Sequence, residues 1–186
     1  AYEAGGAAGR RFVMAGGVIR HIEAHSPEQY LSGIGRAVRH SVPPPIAMIL
    51  CYPGNPTAQV VELDFYKDAV ALAKKHNLFV LSDMAYSEIY FDEAKPPPSV
   101  LQVDGALARV KSYLDYGAYT PIQVAAAAAL NGPQECVAEM RAIYKSRRDV
   151  MVESFAKAGW TIPNPSASMF AWSPIPEPVS YTHLRA

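Results

Sequence analysis

Two unbroken apolar runs stand out in a chain otherwise patterned at helical spacing. Residues 46–52 (IAMILCY) and 78–81 (LFVL) show no alternation between apolar and polar positions. At strand length, that pattern predicts strands covered on both faces, as in a parallel sheet. Between them Phe65, Ala69, Leu72 and Ala73 recur on one helical face, starting near Glu62. Lys74, Lys75 and His76 suit the negative end of the helix dipole, and Asn77 suits the stop. Strand, helix and strand predict a βαβ unit with a right-handed crossover.

Helical signals surround this unit. Ser26-Pro27-Glu28-Gln29 is a capping-box pattern with proline at the first helical position, followed by Tyr30, Leu31, Ile34, Ala37 and Val38 at helical spacing. Pro43-Pro44-Pro45 ends that helix. Thr120-Pro121-Ile122-Gln123 opens an alanine-rich helix to Leu130, which Asn131-Gly132-Pro133 ends. A long helix over about 134–158 presents Val137, Met140, Tyr144, Met151 and Phe155, with Gly159 as its cap. A shorter helix is predicted over 107–114. Short extended pieces are predicted at 18–19, 86–91, 160–162 and 168–172, with an exposed loop over 92–98. Residues 1–11 carry no period, and no internal repeat is visible.

Composition narrows the function classes. Half of the 186 residues are hydrophobic, which provides for a core and excludes wholesale disorder. The 17 Lys and Arg balance 17 Asp and Glu. That argues against nucleic-acid or membrane docking through bulk charge. Arg141, Lys145, Arg147 and Arg148 sit among Glu139, Asp149 and Glu153, which predicts a solvated helix face. Cys51 and Cys136 form neither a metal spacing nor a disulfide framework, so a reduced, cytoplasmic setting is expected. No apolar run reaches membrane-spanning length, and the N-terminus lacks a signal-peptide core. Gly33-Ile34-Gly35 is followed by Val38 where a dinucleotide fingerprint needs Gly or Ala. The five histidines are scattered and suit surface or capping roles, not metal ligation.

Candidate chemistry gathers at one edge. Asn55 lies just past the end of the first apolar run, Asp83 just past the second, and Tyr86 three residues further on. Open parallel sheets bind ligands outside the carboxyl ends of their strands. An acid at such a position is costly unless something pairs with it. Each residue also has a plain structural role open to it: Asn55 shaping a turn, Asp83 capping a helix, Tyr86 packing in the core.

The motifs carrying these residues resemble a known family. Tyr52-Pro53-Gly54-Asn55-Pro56-Thr57-Ala58 resembles the YPxNPTG stretch of class I/II aminotransferases, the fold-type I enzymes that use pyridoxal 5'-phosphate. Ala58 stands where the family usually has glycine. Ser82-Asp83-Met84-Ala85-Tyr86-Ser87-Glu88 resembles the family's D-x-A-Y-x-E motif, and the amphipathic helix between the motifs also matches. Tyr119-Thr120-Pro121-Ile122-Gln123, the long helix and Ser168-Met169-Phe170-Ala171-Trp172 extend the likeness over about residues 12–178. The resemblance implies an α/β fold. It would comprise part of a large domain over 12–158, with a mostly parallel sheet and flanking helices, and the start of a small domain over 159–178. It implies cofactor binding by Asp83 at the pyridine nitrogen and by Asn55 and Tyr86 at the phenolic oxygen. It further implies amino-group transfer between an amino acid and a 2-oxo acid, in a homodimeric parent enzyme. Lyases and decarboxylases on the same scaffold share these residues, and a noncatalytic α/β binding module remains open.

Against the family pattern, the segment bearing the Schiff-base lysine is missing. Val103-Asp104-Gly105-Ala106 runs straight into Leu107-Ala108-Arg109-Val110-Lys111, a join that resembles an internal deletion at 106/107. Lys111 matches the helix after the missing stretch, so no catalytic residue is assigned. The family's phosphate-binding loop and carboxylate-binding arginine are also missing. Residues 1–11 and 179–186 depart from the family, the latter resembling adapter-derived sequence. The expectation is a chain inactive on its own.

Overall fold

The computed structural model of the chain describes residues 12–104 and 119–175. Strand β1, Ala47–Cys51, pairs in parallel with β2, Phe79–Asp83, in the register Ala47↔Phe79 through Cys51↔Asp83. Helix α1, Pro27–His40, precedes β1, and α2, Leu63–His76, connects the two strands. Local chemistry accounts for the helix ends. Ser26 Oγ accepts from Gln29 N at 3.3 Å, while the Gln29 side chain reaches back to His25 N at 2.9 Å, one residue earlier than a capping box requires. Asn77 adopts the left-handed conformation at φ 53° and returns its N–H to the last turn of α2.

The core lies on the sheet face carrying Met48 and Leu50. There α2 presents Phe65, Tyr66, Ala69 and Val70, and α1 presents Ile34. Leu50 is 1% exposed and Tyr66 fully buried. Phe65 stands edge-on to both Tyr52, at 5.2 Å, and Tyr66, at 5.7 Å. Burying one such side chain contributes about 1.5–3 kcal/mol. Gly33 lets the 18–24 segment close on α1: a Cβ there would collide with Ile22 Cγ2.

Several expectations are corrected. Residues 78–81 are not covered on both faces, because Phe79 is 66% and Leu81 36% exposed. Side chains alternate across a strand, so these two share the face opposite Leu50, which is the more open one at β2. Residues 18–19, 160–162 and 168–172 form no strand. Extended backbone becomes a strand only where a partner satisfies its polar groups. In 86–91 and 166–170, pairing is limited to an antiparallel bridge between Tyr90 and Ala167, and Ser168 at φ 71° then turns the chain away.

Helices α3, Thr120–Asn131, and α4, Glu135–Lys157, form where expected but bury no residue fully. Val137, Tyr144 and Met151 of the predicted apolar face are half-buried, whereas Met140 is exposed. The solvated basic face is corrected in two places. Arg141 and Arg148 interleave with those apolar residues, leaving only 20% and 13% of their side chains exposed. Residues 1–11, the join at 106/107, the 107–114 helix, Lys111 and 179–186 lie outside the described residues.

Candidate functional site

β1 and β2 end together, and the site is built from the chain beyond their carboxyl ends. Tyr52 N donates to Asp83 O at 3.3 Å, extending the ladder by one bond. The chain after β1 then closes a tight turn: Ala58 N donates to Gly54 O and Gly54 N to Gln59 O, both at 2.9 Å. Ala58 sits in this turn at φ 55°, the left-handed region that favours glycine, which accounts for the family's usual residue there. The turn carries Asn55 toward β2, and Asn55 Nδ2 donates to Tyr86 Oη at 3.3 Å.

After β2 the chain folds into successive turns. Asp83 Oδ1 accepts from Ala85 N at 3.3 Å, Ser87 N donates to Met84 O, and Ile89 N donates to Tyr86 O. These turns bring Tyr86 back toward the strand ends. Its ring meets Phe170 perpendicularly at 5.4 Å. Asn55, Asp83 and Tyr86, singled out from sequence, thus occupy one edge of the sheet. The Tyr86 O–H remains able to donate while its oxygen accepts from Asn55. An amide, a phenol and a carboxylate there can recognise a planar ring bearing an oxygen acceptor and a basic nitrogen.

The neighbouring phenols are different. Tyr30 Oη donates to Ile49 O at 2.7 Å, and burial pushes its pKa up to about 12, with Cys51 adding to the effect. Burial also drives the Tyr52 phenol upward, reinforced by Tyr30. Tyr66 is pushed up to about 12 by burial. The Tyr66 and Ser82 hydroxyls are both buried without a hydrogen-bond partner. All three phenols stay protonated at neutral pH, which suits packing roles. Among the described residues no cluster of His, Cys, Asp and Glu could hold a metal ion, and no helix is long and apolar enough to cross a membrane.

Four residues at the site's flank were not among the candidate site residues: Glu88, Arg141, Arg148 and Phe170. Arg141 Nε donates to Glu88 O and its Nη2 to Glu88 Oε2, both at 2.8 Å, and its guanidinium lies 4.0 Å from the centre of the Tyr90 ring. Arg148 Nη1 donates to Pro165 O at 2.9 Å, with its guanidinium 4.5 Å from the centre of the Phe91 ring. The signal was a helical stripe: Val137, Arg141, Tyr144, Arg148 and Met151 recur at alternating steps of four and three.

The profile of the family "Aminotransferase class I and II" matches residues 10–115 and 103–183. "Putative aminotransferase AatC" of Rhizobium meliloti (strain 1021) is 56% identical over 206 residues, covering 93% of this chain and 50% of that protein. "Glutamate-pyruvate aminotransferase AlaC" of Escherichia coli (strain K12) is 41% identical over 199 residues, covering 89% of this chain and 48% of that protein. The chain therefore spans about half the length of the curated relatives it matches. The AatC alignment is longer than this chain: 93% of 186 residues is about 173, so about 33 of its 206 positions face no residue here. Among solved structures, substrate-bound BacF from Bacillus subtilis superposes with a TM-score of 0.66 at 26% identity, covering 86% of this chain and 54% of that one. Members of the matched family depend on pyridoxal phosphate, and the α/β arrangement with its parallel strand pair is part of their fold. With the profile spanning most of its length and its two motifs meeting at one sheet edge, the chain belongs to the class I and II aminotransferases.

Proposed function

We propose that Asn55, Asp83 and Tyr86 form the ring-binding half of a pyridoxal phosphate site, in a chain derived from an aminotransferase acting on an amino acid and a 2-oxo acid. The hydrogen bond from Asn55 to Tyr86 beyond the paired ends of β1 and β2 carries this reading, because it joins two motifs 31 residues apart at the edge where Asp83 emerges. Bound pyridoxal phosphate would supply an electron sink for the pair left on the substrate Cα. Asp83 would hold the proton on the ring nitrogen, since a carboxylate favours a cationic neighbour. Asn55 Nδ2 and the Tyr86 hydroxyl would donate to the phenolic oxygen and fix the ring's rotation.

The chain would divide into a partial large domain over 12–158, interrupted at 106/107, and the start of a small domain over 159–178. Two overlapping family matches, and the roughly 33 aligned positions without a counterpart, support the interruption. The missing segment would carry the catalytic lysine, so the chain would bind the ring without transferring an amino group. The parent would be a cytoplasmic homodimer.

The test is a spectroscopic titration of the purified chain with pyridoxal phosphate, followed by borohydride reduction and peptide mapping. Saturable binding is expected, weakened tenfold or more by Asp83→Ala, since a charge-assisted hydrogen bond is worth about 1.5–3 kcal/mol. No stoichiometric lysine adduct should form. Binding indifferent to Asp83→Ala overturns the site, and a single modified lysine, with Lys111 the first to check, overturns the claim of an inactive chain.

A further inference from the structure

The turns that present Tyr86 have little of their own to hold them in place. Between Asp83 and Ile89 the structure gives short local bonds: Asp83 to Ala85, Met84 to Ser87 and Tyr86 to Ile89. Such turns leave the backbone open to water and have low local stability. Contacts from farther away in the sequence change that: Asn55 Nδ2 reaches the Tyr86 hydroxyl, Ser168 N reaches the Ile89 carbonyl, and a third falls on Glu88. Arg141, 53 residues on, grips Glu88 twice, by carbonyl and by carboxylate, and covers the Tyr90 ring. A planar guanidinium held at two oxygens and one ring face has little freedom left, and neither has the turn it grips.

We propose that Arg141 is a positioning residue for the Tyr86 hydroxyl, acting through the Glu88 turn it holds. This inference rests on the cofactor reading for its functional meaning, but its mechanics can be read in the free chain. Glu88 is two residues from Tyr86, and Ile89 N bonds the Tyr86 carbonyl, so a displacement at Glu88 reaches Tyr86 within one turn. The opposite side of Tyr86 is bounded by Phe170, whose segment is tied to the same stretch by Ser168 N donating to Ile89 O at 2.7 Å. Arg141 thus holds one border of the tyrosine and the 165–170 segment the other. The competing explanation is that Arg141 only anchors α4. Arg148 separates the two by degree, because it anchors the same helix to Phe91 and to Pro165, five residues before the Phe170 that borders Tyr86, without touching Glu88.

The test uses the full chain with 13C at tyrosine Cζ, free of ligand, with the Tyr86 resonance identified by its loss in Tyr86→Phe. Arg141→Gln should move that resonance by more than its linewidth. Glu88→Gln, which keeps the carbonyl contact, should move it less and in the same direction. Arg141→Lys, which keeps the charge, should restore part of the wild-type position. Arg148→Gln should lower the melting temperature yet move the Tyr86 resonance less than Arg141→Gln does, because it reaches Tyr86 only through the Pro165 end of the 165–170 border. A folded Arg141→Gln chain with an unmoved Tyr86 signal overturns the inference, as does an equal displacement in Arg148→Gln. If Arg141→Gln does not fold, the Glu88→Gln and Arg148→Gln pair decides by the same criteria. Pyridoxal phosphate affinity is measured separately: its absence in the wild type counts against the cofactor reading, whereas the tyrosine signal alone judges Arg141.

Discussion

Ser168 combines two unfavourable features in one residue, and removing them separately makes a sharp test. Its backbone sits at φ 71°, and its hydroxyl is buried, at 1% residue exposure, without a hydrogen-bond partner. A buried unsatisfied hydroxyl costs about 1–3 kcal/mol. Ser168→Ala removes that cost and keeps the Cβ, so it should stabilise the fold by about 1–3 kcal/mol. Ser168→Gly also relieves a left-handed penalty of about 1–2 kcal/mol. It loses about 0.5–1 kcal/mol to chain entropy and about 0.8 kcal/mol of Cβ burial, so it should match the alanine variant within about 1 kcal/mol. Ser168→Val, with a branched side chain at positive φ, should destabilise. Urea and thermal unfolding followed by the fluorescence of Trp160 and Trp172 measure all three. For a chain of this size, each kcal/mol should move the melting temperature by about 2–4 °C. Destabilisation in Ser168→Ala would refute the reasoning, because it would mean the hydroxyl contributes a favourable contact.

The same geometry sets three further outcomes. Leu50→Ala, at the centre of the core on β1, should cost about 2–5 kcal/mol in urea unfolding, and a cost below about 1 kcal/mol would place the core elsewhere. Ser26→Ala should cost about 1 kcal/mol through loss of the bond to Gln29 N, seen as a lower midpoint with unchanged circular dichroism at neutral pH. Tyr30 and Tyr66 ionise near 12 in the fold but near 10 when unfolded. Their contribution is therefore fully present below pH 10 and is lost as pH rises from 10 to 12. Melting temperatures should fall across that window, and Tyr66→Phe should flatten the fall; an unchanged slope in Tyr66→Phe would remove that phenol from the account.

Glu88 and Arg141 show where local pattern stops informing. Parity and period are properties of neighbouring residues, so β1, α1, α2 and the two long helices were legible within a residue or two of their observed ends. So was the edge that gathers Asn55, Asp83 and Tyr86, since parallel strands joined by a helix must end on the same side. The 78–81 run was legible as a strand but not as one with an open face, because apolar residues at both parities do not say what will cover them. The inward turn of Arg141 and Arg148 was beyond composition, which set them among acids as a solvated face. The Glu88 carboxylate and carbonyl and the rings of Tyr90 and Phe91 lie more than fifty residues earlier in the chain, and the Pro165 carbonyl that Arg148 also holds lies 17 residues later. Sequence by itself determined which segments become strand or helix and which side chains leave the strand ends. Only the tertiary structure decided how those side chains are braced, because a cation finds its ring and its oxygens through packing across the fold: helical period sets Arg141 and Arg148 on one stripe with apolar residues but names none of their partners.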